Sequence, residues 1–281
     1  MRLPLQLALG LVLSAAIGAL AYRKGSLSKS GVAGAMLVGT AIFGFGGWPW
    51  GLVLITFFVT SSRLSHYKEA AKARVAEEKF SKGNQRDLGQ ALANGGAGAL
   101  FALGSLIAPG PAMLAAFIGA MATVNADTWA TELGVLSRRP PRSVLTGRVA
   151  ETGTSGAVSG LGMLAALGGA SVVGLSAWAF GALERLTGPS TMPGLGAWLL
   201  PAAIVGGVGG SLVDSVLGAT VQAIFRCPRC DKETERTVHP CGTPTVALRG
   251  WRWLGNDGVN FLSSLGGALL ALAVARGFGL A

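Results

Sequence analysis

The chain has 281 residues, of which 51% are hydrophobic, only 13% are charged and 44 are glycine. A soluble domain carries about 25% charged residues, so this composition excludes an ordinary water-soluble globule and points to a bilayer as the solvent. The net charge of +10 comes without aromatic-interleaved basic segments, so nucleic acid is not expected as a partner.

Windows of about 20 apolar residues predict an all-α, polytopic transmembrane helical bundle of about eight spans with Gly-rich close packing. The spans fall at 3–22, 30–47, 48–65, 89–108, 111–136, 154–183, 196–224 and 257–280, in a single domain 1–281. The first, "LPLQLALGLVLSAAIGALAY", is longer than the roughly 7–15-residue core of a secretory signal and runs on without a cleavage site. It reads as a span, and no transit segment is expected before it. "GFGGWPWG" turns the second span into the third, and its Trp48 and Trp50 suit a membrane interface. "HYKEAAKARVAEEKFSKG" contains good helix formers and is expected to extend the third span as a surface helix. "APGP" joins the fourth and fifth spans. The loop 225–256 is long enough to fold over one face.

Loops 22–29, 61–88, 137–153 and 225–256 hold twenty of the twenty-three Lys and Arg residues. With eight spans these four loops share one side. The positive-inside tendency makes that side cytoplasmic and puts both termini outside, as for a multi-pass protein of the cell's inner membrane. Attraction to lipid headgroups accounts for much of this charge.

Carboxylates inside spans are costly, and this chain has several. "VNADTWATELG" carries Asn125, Asp127, Thr128 and Glu132; "GGSLVDSVLGATVQ" carries Ser211, Asp214, Ser215 and Gln222. Asp127 precedes the first basic residue of its loop by eleven residues and Asp214 by twelve. At 1.5 Å rise per residue the two lie at nearly one depth. "GNDGVNFLSS" adds Asn256, Asp257 and Asn260 at the start of the last span. Three helices thus bring hard oxygen ligands to one level, which suits Mg²⁺ held by Asp127 and Asp214, with Glu132 a further candidate catalytic carboxylate. The bland reading of such residues is hydrogen-bonding glue between helices, which explains the hydroxyls and amides better than the acids.

Phosphate-binding donors are expected on the same side. "ETGTSGAVSG" opens the sixth span with Thr154 and Ser155 in a Gly-rich turn, where helix N-terminal amides can meet an anion. "KGNQRDLGQALANGG" supplies Lys82, Arg86 and Asn94. No Walker loop occurs. Cys227, Cys230, His239 and Cys241 form a Cys₃His set with one CxxC knuckle, matching structural Zn²⁺; a metal-free thiol cluster is the alternative. Such a staple would hold the loop that carries Asn256 and Asp257.

"LANGG", "NADTWATELG", "GTSGAVS", "GGSLVDSVLGATVQ" and "NDGVNFLSS", in that order along the chain, resemble the integral membrane family that includes plant phytyl-phosphate kinase and the animal transmembrane protein nineteen. The resemblance covers nearly the whole chain. It implies a kinase using CTP or another nucleoside triphosphate to add a second phosphate to an isoprenoid-alcohol monophosphate such as phytyl or geranylgeranyl phosphate. The Cys/His set is not part of the pattern associated with the plant and animal members. Two other functions fit the same residues: a transporter or flippase for an anionic lipid or small anion, and a cytidylyltransferase making a CDP-lipid. A carrier needs a polar path through both membrane halves, and here the outer halves are almost wholly apolar, which favours an enzyme. Oligomeric state is not legible.

Overall fold

The structure, a computed structural model, describes residues 3–83, 85–188 and 190–280; Asn84, inside the "KGNQRD" stretch, lies outside them. Its helices are α1 (Leu3–Arg23), α2 (Lys29–Ala41), α3 (Trp48–His66), α4 (Glu69–Lys79), α5 (Leu88–Gly104), α6 (Pro111–Gly134), α7 (Gly160–Thr187), α8 (Leu199–Thr220) and α9 (Asn256–Gly277). Among the described residues, five segments have the length and hydropathy to cross a membrane: α1, α2 with its π-helical extension to Gly46, α7, α8 and α9. Of the remaining long helices, α5 has 17 residues, and α6 is interrupted by the polar residues singled out above.

Helix α6 is the axis of the bundle, with α3, α5, α7, α8 and α9 packed around it. Every residue from Leu114 to Ala126 is buried, as expected of a helix that is apolar all round. Lipid is as apolar as the core, so close backbone approach rather than water exclusion must hold such helices together. Gly119, Gly206 and Gly267 meet where α6, α8 and α9 cross. A Cβ on Gly206 would stand 2.8 Å from Gly267 O and 3.0 Å from Gly119 Cα. Thr123 seals this layer by donating from Oγ1 to Gly119 O (2.8 Å) and Gly206 O (3.0 Å).

The two ends of the bundle differ in character. At one, Leu280 and Pro111 lie against Gly194, and Trp50 donates from Nε1 to Thr191 O at 3.3 Å. Trp50 is not an interface residue as its sequence suggested; it is 1% exposed and packs on Phe117 with ring centroids 4.4 Å apart. Glu184, also buried here, accepts from Thr191 N (2.7 Å), Thr191 Oγ1 (2.8 Å) and Ser190 Oγ (3.0 Å). The other end gathers all four basic loops. Ser28 N donates to Arg86 O, Glu151 pairs with Lys79 and Lys232, and Lys82 pairs with Asp257.

Three local expectations change. The third span does not run on into the surface helix: Tyr67 is extended and Lys68 adopts φ +50, so α4 starts afresh. This turn lets Lys72 point back into the bundle. The sixth span starts at Gly160, not 154, because Ser159 caps α7 by accepting from Gly162 N at 3.1 Å. Residues 151–158 instead form a turn and strand β2 (Ala157–Val158), paired with β1 (Arg142–Ser143). The long loop folds as a small antiparallel sheet ordered β4-β3-β5, from β3 (Ile224–Cys227), β4 (Lys232–Thr234) and β5 (Val246–Arg249).

Candidate active site

About two turns from Gly119 and Gly206 towards the basic end, the polar residues meet. Asp127 follows Thr123 by four residues on α6, Asp214 follows Gly210 by four on α8, and Ser263 precedes Gly267 by four on α9. The crossing that buries the glycines therefore sets the carboxylates at one level. Ser211 Oγ donates to Asp127 Oδ1 at 3.3 Å, and Ser263 Oγ donates to Asp214 Oδ2 at 3.0 Å. Among the described residues neither carboxylate forms an ion pair, and each has that one hydroxyl donor. Glu184 at the far end, with three donors, shows what a satisfied buried carboxylate in this bundle looks like.

Both carboxylates line a cavity of about 300 Å³. Thr128, Ser211 and Ser215 line it together with Asn94, Asn256, Asn260, Thr154 and Ser155. Lys82 and Arg86 also line it. Asn260 Nδ2 approaches Asn94 Oδ1 at 3.4 Å. The Thr154–Ser155 turn depends on glycine: Gly153 (φ +83) has Val75 Cγ1 2.6 Å from where its Cβ would be, and Gly156 (φ +81) has the Ala219 backbone at 2.7 Å. Both Ser155 and Gly156 line the cavity, and among the described residues their amides donate to no protein atom. Those donors belong to the turn itself, not to the N-terminus of α7 as the sequence suggested, because Ser159 occupies that end.

Lys82 bridges Asp87 (2.8 Å) and Asp257 (2.5 Å). Burial alone would lower its pKa, but these two carboxylates outweigh burial and hold the ammonium above its ordinary range. Asp87 also caps α5, in a capping box with Gln90. Asp257 thus reaches the site through Lys82 and does not line the cavity. Arg86 lies over the rings of Phe57 (5.3 Å) and Phe58 (5.9 Å), and its Nη1 is buried without a partner.

Three expected site residues stand elsewhere or are already engaged. Asn125 is fully buried behind the cavity; it donates to Gly169 O at 2.8 Å and accepts from Ser61 Oγ at 3.0 Å, tying α6 to α7 and α3. Gln222 is already engaged, accepting from Ser155 Oγ (2.9 Å) and donating to Glu235 Oε1 (2.9 Å). Glu132 does line the cavity, but its carboxylate is ion-paired with Lys72 and accepts from Ser65 Oγ at 2.6 Å.

Residues 12–268 match the family described as Integral membrane protein DUF92. The chain belongs to this family. It is 34% identical to Protein PGR of Arabidopsis thaliana over 274 residues, covering 92% of this chain and 93% of the relative. It is 31% identical to Uncharacterized membrane protein MJ0933 of Methanocaldococcus jannaschii over 195 residues, 69% of this chain and 74% of the relative. Protein VTE6, chloroplastic, of Arabidopsis thaliana is 25% identical over 253 residues, 88% of this chain and 64% of the relative. No solved structure matches it. The family read from the five ordered motifs is thereby shown, together with a helical, multi-pass membrane architecture.

The DUF92 chain also carries cavity residues that its sequence did not single out. Glu235, from the loop after β4, lines the cavity and accepts from Ser81 N and Oγ (both 3.2 Å). Burial pushes its carboxyl above the usual carboxylate range despite the donors from Ser81 and Gln222. Lys72 sits in what reads as a solvated surface helix, yet it is 7% exposed and donates to Leu64 O (2.7 Å) and Ser65 O (2.9 Å) as well as to Glu132. Its only sequence signal is the Lys68 break, which residue type does not announce.

Proposed function

We propose that this DUF92 protein transfers a phosphoryl group from a nucleoside triphosphate, CTP first among them, to an isoprenoid-alcohol monophosphate such as phytyl or geranylgeranyl phosphate. The observation that carries this reading is the pair Asp127 and Asp214, brought without a cation partner into one polar cavity at the basic end. Two carboxylates among hydroxyl and amide oxygens fit Mg²⁺, which is held by one or two carboxylates and the substrate phosphates. When bound, that ion would neutralise charge on the transferring phosphates. Ser211 and Ser263 orient the carboxylates; Lys82, Arg86 and the Ser155 and Gly156 amides supply donors for phosphate oxygens.

In the transfer, an oxygen of the lipid phosphate bonds to the terminal phosphorus while the bridging P–O bond of the nucleotide breaks, leaving a nucleoside diphosphate. The acceptor phosphate is largely ionised at neutral pH (second pKa about 6), so the step needs positioning and charge compensation more than a general base. That frees Glu132 to be occupied by Lys72. The relationship to Protein VTE6, chloroplastic, together with the motif resemblance to phytyl-phosphate kinase, supports the same reaction. The basic end is the cytoplasmic one by the positive-inside tendency, with both termini on the other side. Nucleotide would then arrive from water and the prenyl chain from the bilayer.

A transporter is less favoured, because beyond the glycine layer the bundle is packed with Leu114, Phe117 and Ile118, all fully buried. The deciding experiment incubates detergent-purified protein with prenyl monophosphates and each nucleoside triphosphate. Prenyl diphosphate with release of nucleoside diphosphate is the expected result. A CDP-lipid with pyrophosphate would overturn the kinase in favour of a cytidylyltransferase, and no product with any acceptor would overturn both.

A further inference from the structure

Two tight turns of the basic-end sheet face each other. Cys227 ends β3, Asp231 (φ +55) carries the chain past Cys230 into β4, and Gly242 (φ +81) closes the turn from His239 through Cys241. The four ligand atoms of Cys227, Cys230, His239 and Cys241 all lie within 4.8 Å of one another. Cys227 Sγ and Cys241 Sγ are 3.7 Å apart. A disulfide would be about 2.05 Å, whereas two thiolates on a tetrahedral zinc at about 2.3 Å stand roughly 3.8 Å apart. The His239 ring is buried; Nδ1 receives the Cys241 amide at 3.3 Å, and among the described residues Nε2 has no hydrogen-bond partner.

We infer that these four residues bind one Zn²⁺, and that the ion holds the sheet that delivers Glu235 to the active-site cavity. Thiolate and imidazole ligands select zinc over the oxygen-seeking Mg²⁺. The sheet has three strands of four, three and four residues, too few to be stable alone, so metal binding supplies folding free energy. What it holds is specific: Glu235 N donates to Lys79 O (2.9 Å), Thr234 Oγ1 to Lys79 O (3.3 Å) and Arg249 Nη2 to Ser155 O (3.3 Å). Glu235 and the Ser155 turn are thereby fixed relative to the helices.

Elemental analysis of protein purified without chelator should find about one zinc per chain. Exchange for Co²⁺ should give thiolate-to-cobalt absorption, lost in Cys230→Ser, a substitution at an exposed ligand. Stripping the metal should speed hydrogen exchange across 224–250 while α6 and α8 keep their protection. Absence of zinc together with a cobalt spectrum lacking thiolate bands would overturn the site. Unchanged exchange after stripping would overturn its role in holding the sheet. Neither readout depends on kinase activity.

A second site adjoins the cavity through Arg86, Gln90 and Asn94, which line both spaces. It is an apolar pocket of about 100 Å³ between α1, α2, α3 and α5, walled by Leu13, Ile17, Ala35, Phe43, Leu54 and Phe58. Gly10 of α1 also lines it, and elsewhere α1 buries only Gly18 and Ala21. Resting on the lipid-phosphate reading, we propose that this pocket takes the phosphate-proximal part of the isoprenoid chain and that Arg86 grips its phosphate. A buried guanidinium nitrogen without a partner calls for an anion, and the apolar pocket beside it calls for a hydrocarbon chain.

Geranylgeranyl phosphate with a diazirine near the head end of its chain tests this by photolabelling, which reports binding and not transfer. Labels should fall within 13–58 and be competed by unlabelled geranylgeranyl phosphate but not by geranylgeraniol. Arg86→Gln should reduce labelling about tenfold, the loss of one charged hydrogen bond, and Leu54→Trp should block it by filling the pocket. Labels confined to α7 or α9, or indifferent to the phosphate competitor, would overturn the assignment. Labelling as expected without any kinase product would remove the transfer reaction and leave the pocket standing.

Discussion

Glu132 separates a catalytic from an architectural carboxylate. Glu132→Gln keeps the shape and leaves Lys72 buried without its counter-ion, the Lys72 side chain being 8% and that of Glu132 20% exposed. Removing one partner of a buried pair costs about 3–5 kcal/mol. Lys72 keeps the carbonyls of Leu64 and Ser65, so the lower end, about 3 kcal/mol, applies. With about 2.1 cal/mol/K of unfolding entropy per residue and 281 residues, the slope is about 0.6 kcal/mol per degree, and the melting temperature should fall by about 5 °C. The pair Lys72→Met with Glu132→Gln should recover most of this, because removing both charges is close to neutral. Melting in detergent, followed beside kinase turnover at a temperature where every variant is folded, is the assay. Turnover in Glu132→Gln should fall by less than the roughly 10²–10⁴-fold that loss of a general base costs. An unchanged melting temperature with collapsed turnover would place Glu132 at the reacting phosphates and refute this account.

Asp127→Asn and Asp214→Asn should each melt no lower than the parent, since neither carboxylate has a cation to lose, while turnover drops roughly 10³-fold. The double variant should be little worse than either single one, and near-normal turnover in Asp214→Asn would remove it from the site. A membrane-impermeant maleimide applied to intact cells should label Ile107→Cys and Leu186→Cys at the far end but not Leu145→Cys among the basic loops; external labelling at 145 would invert the topology. The hydrogen bond from Lys79, with Lys232 assisting, holds Glu151 below its ordinary range. A depressed folded pKa stabilises above the unfolded value of about 4.5. The melting difference between the parent and Glu151→Gln should therefore appear above that pH and vanish as pH falls through the lowered folded pKa.

Much of the helical order was legible because a bilayer demands it: unpaired backbone groups are intolerable in lipid, so apolar runs of span length have to be helices. The level shared by Asp127 and Asp214 was legible too, since helical rise converts residue counts to depth. What counting along single helices could not give was rotation. Asn125 and Asp127 are two residues apart, yet one ties three helices together behind the cavity and the other faces into it, because the Gly119–Gly206–Gly267 contact decides how α6 is turned.

Loops obeyed no such rule. The break at Lys68 that buries Lys72, the Gly153 and Gly156 turn beside α8, and the sheet that delivers Glu235 all depend on contacts between residues distant in sequence. Amino-acid order alone determined a Gly-rich helical membrane protein of this family, with carboxylates at one depth near a basic face and a Cys₃His set in one loop. Tertiary structure decided which carboxylates are spoken for and which stand free. A charge's role depends on what faces it, and the partners of Asp127, Glu132 and Asp214 all come from other helices.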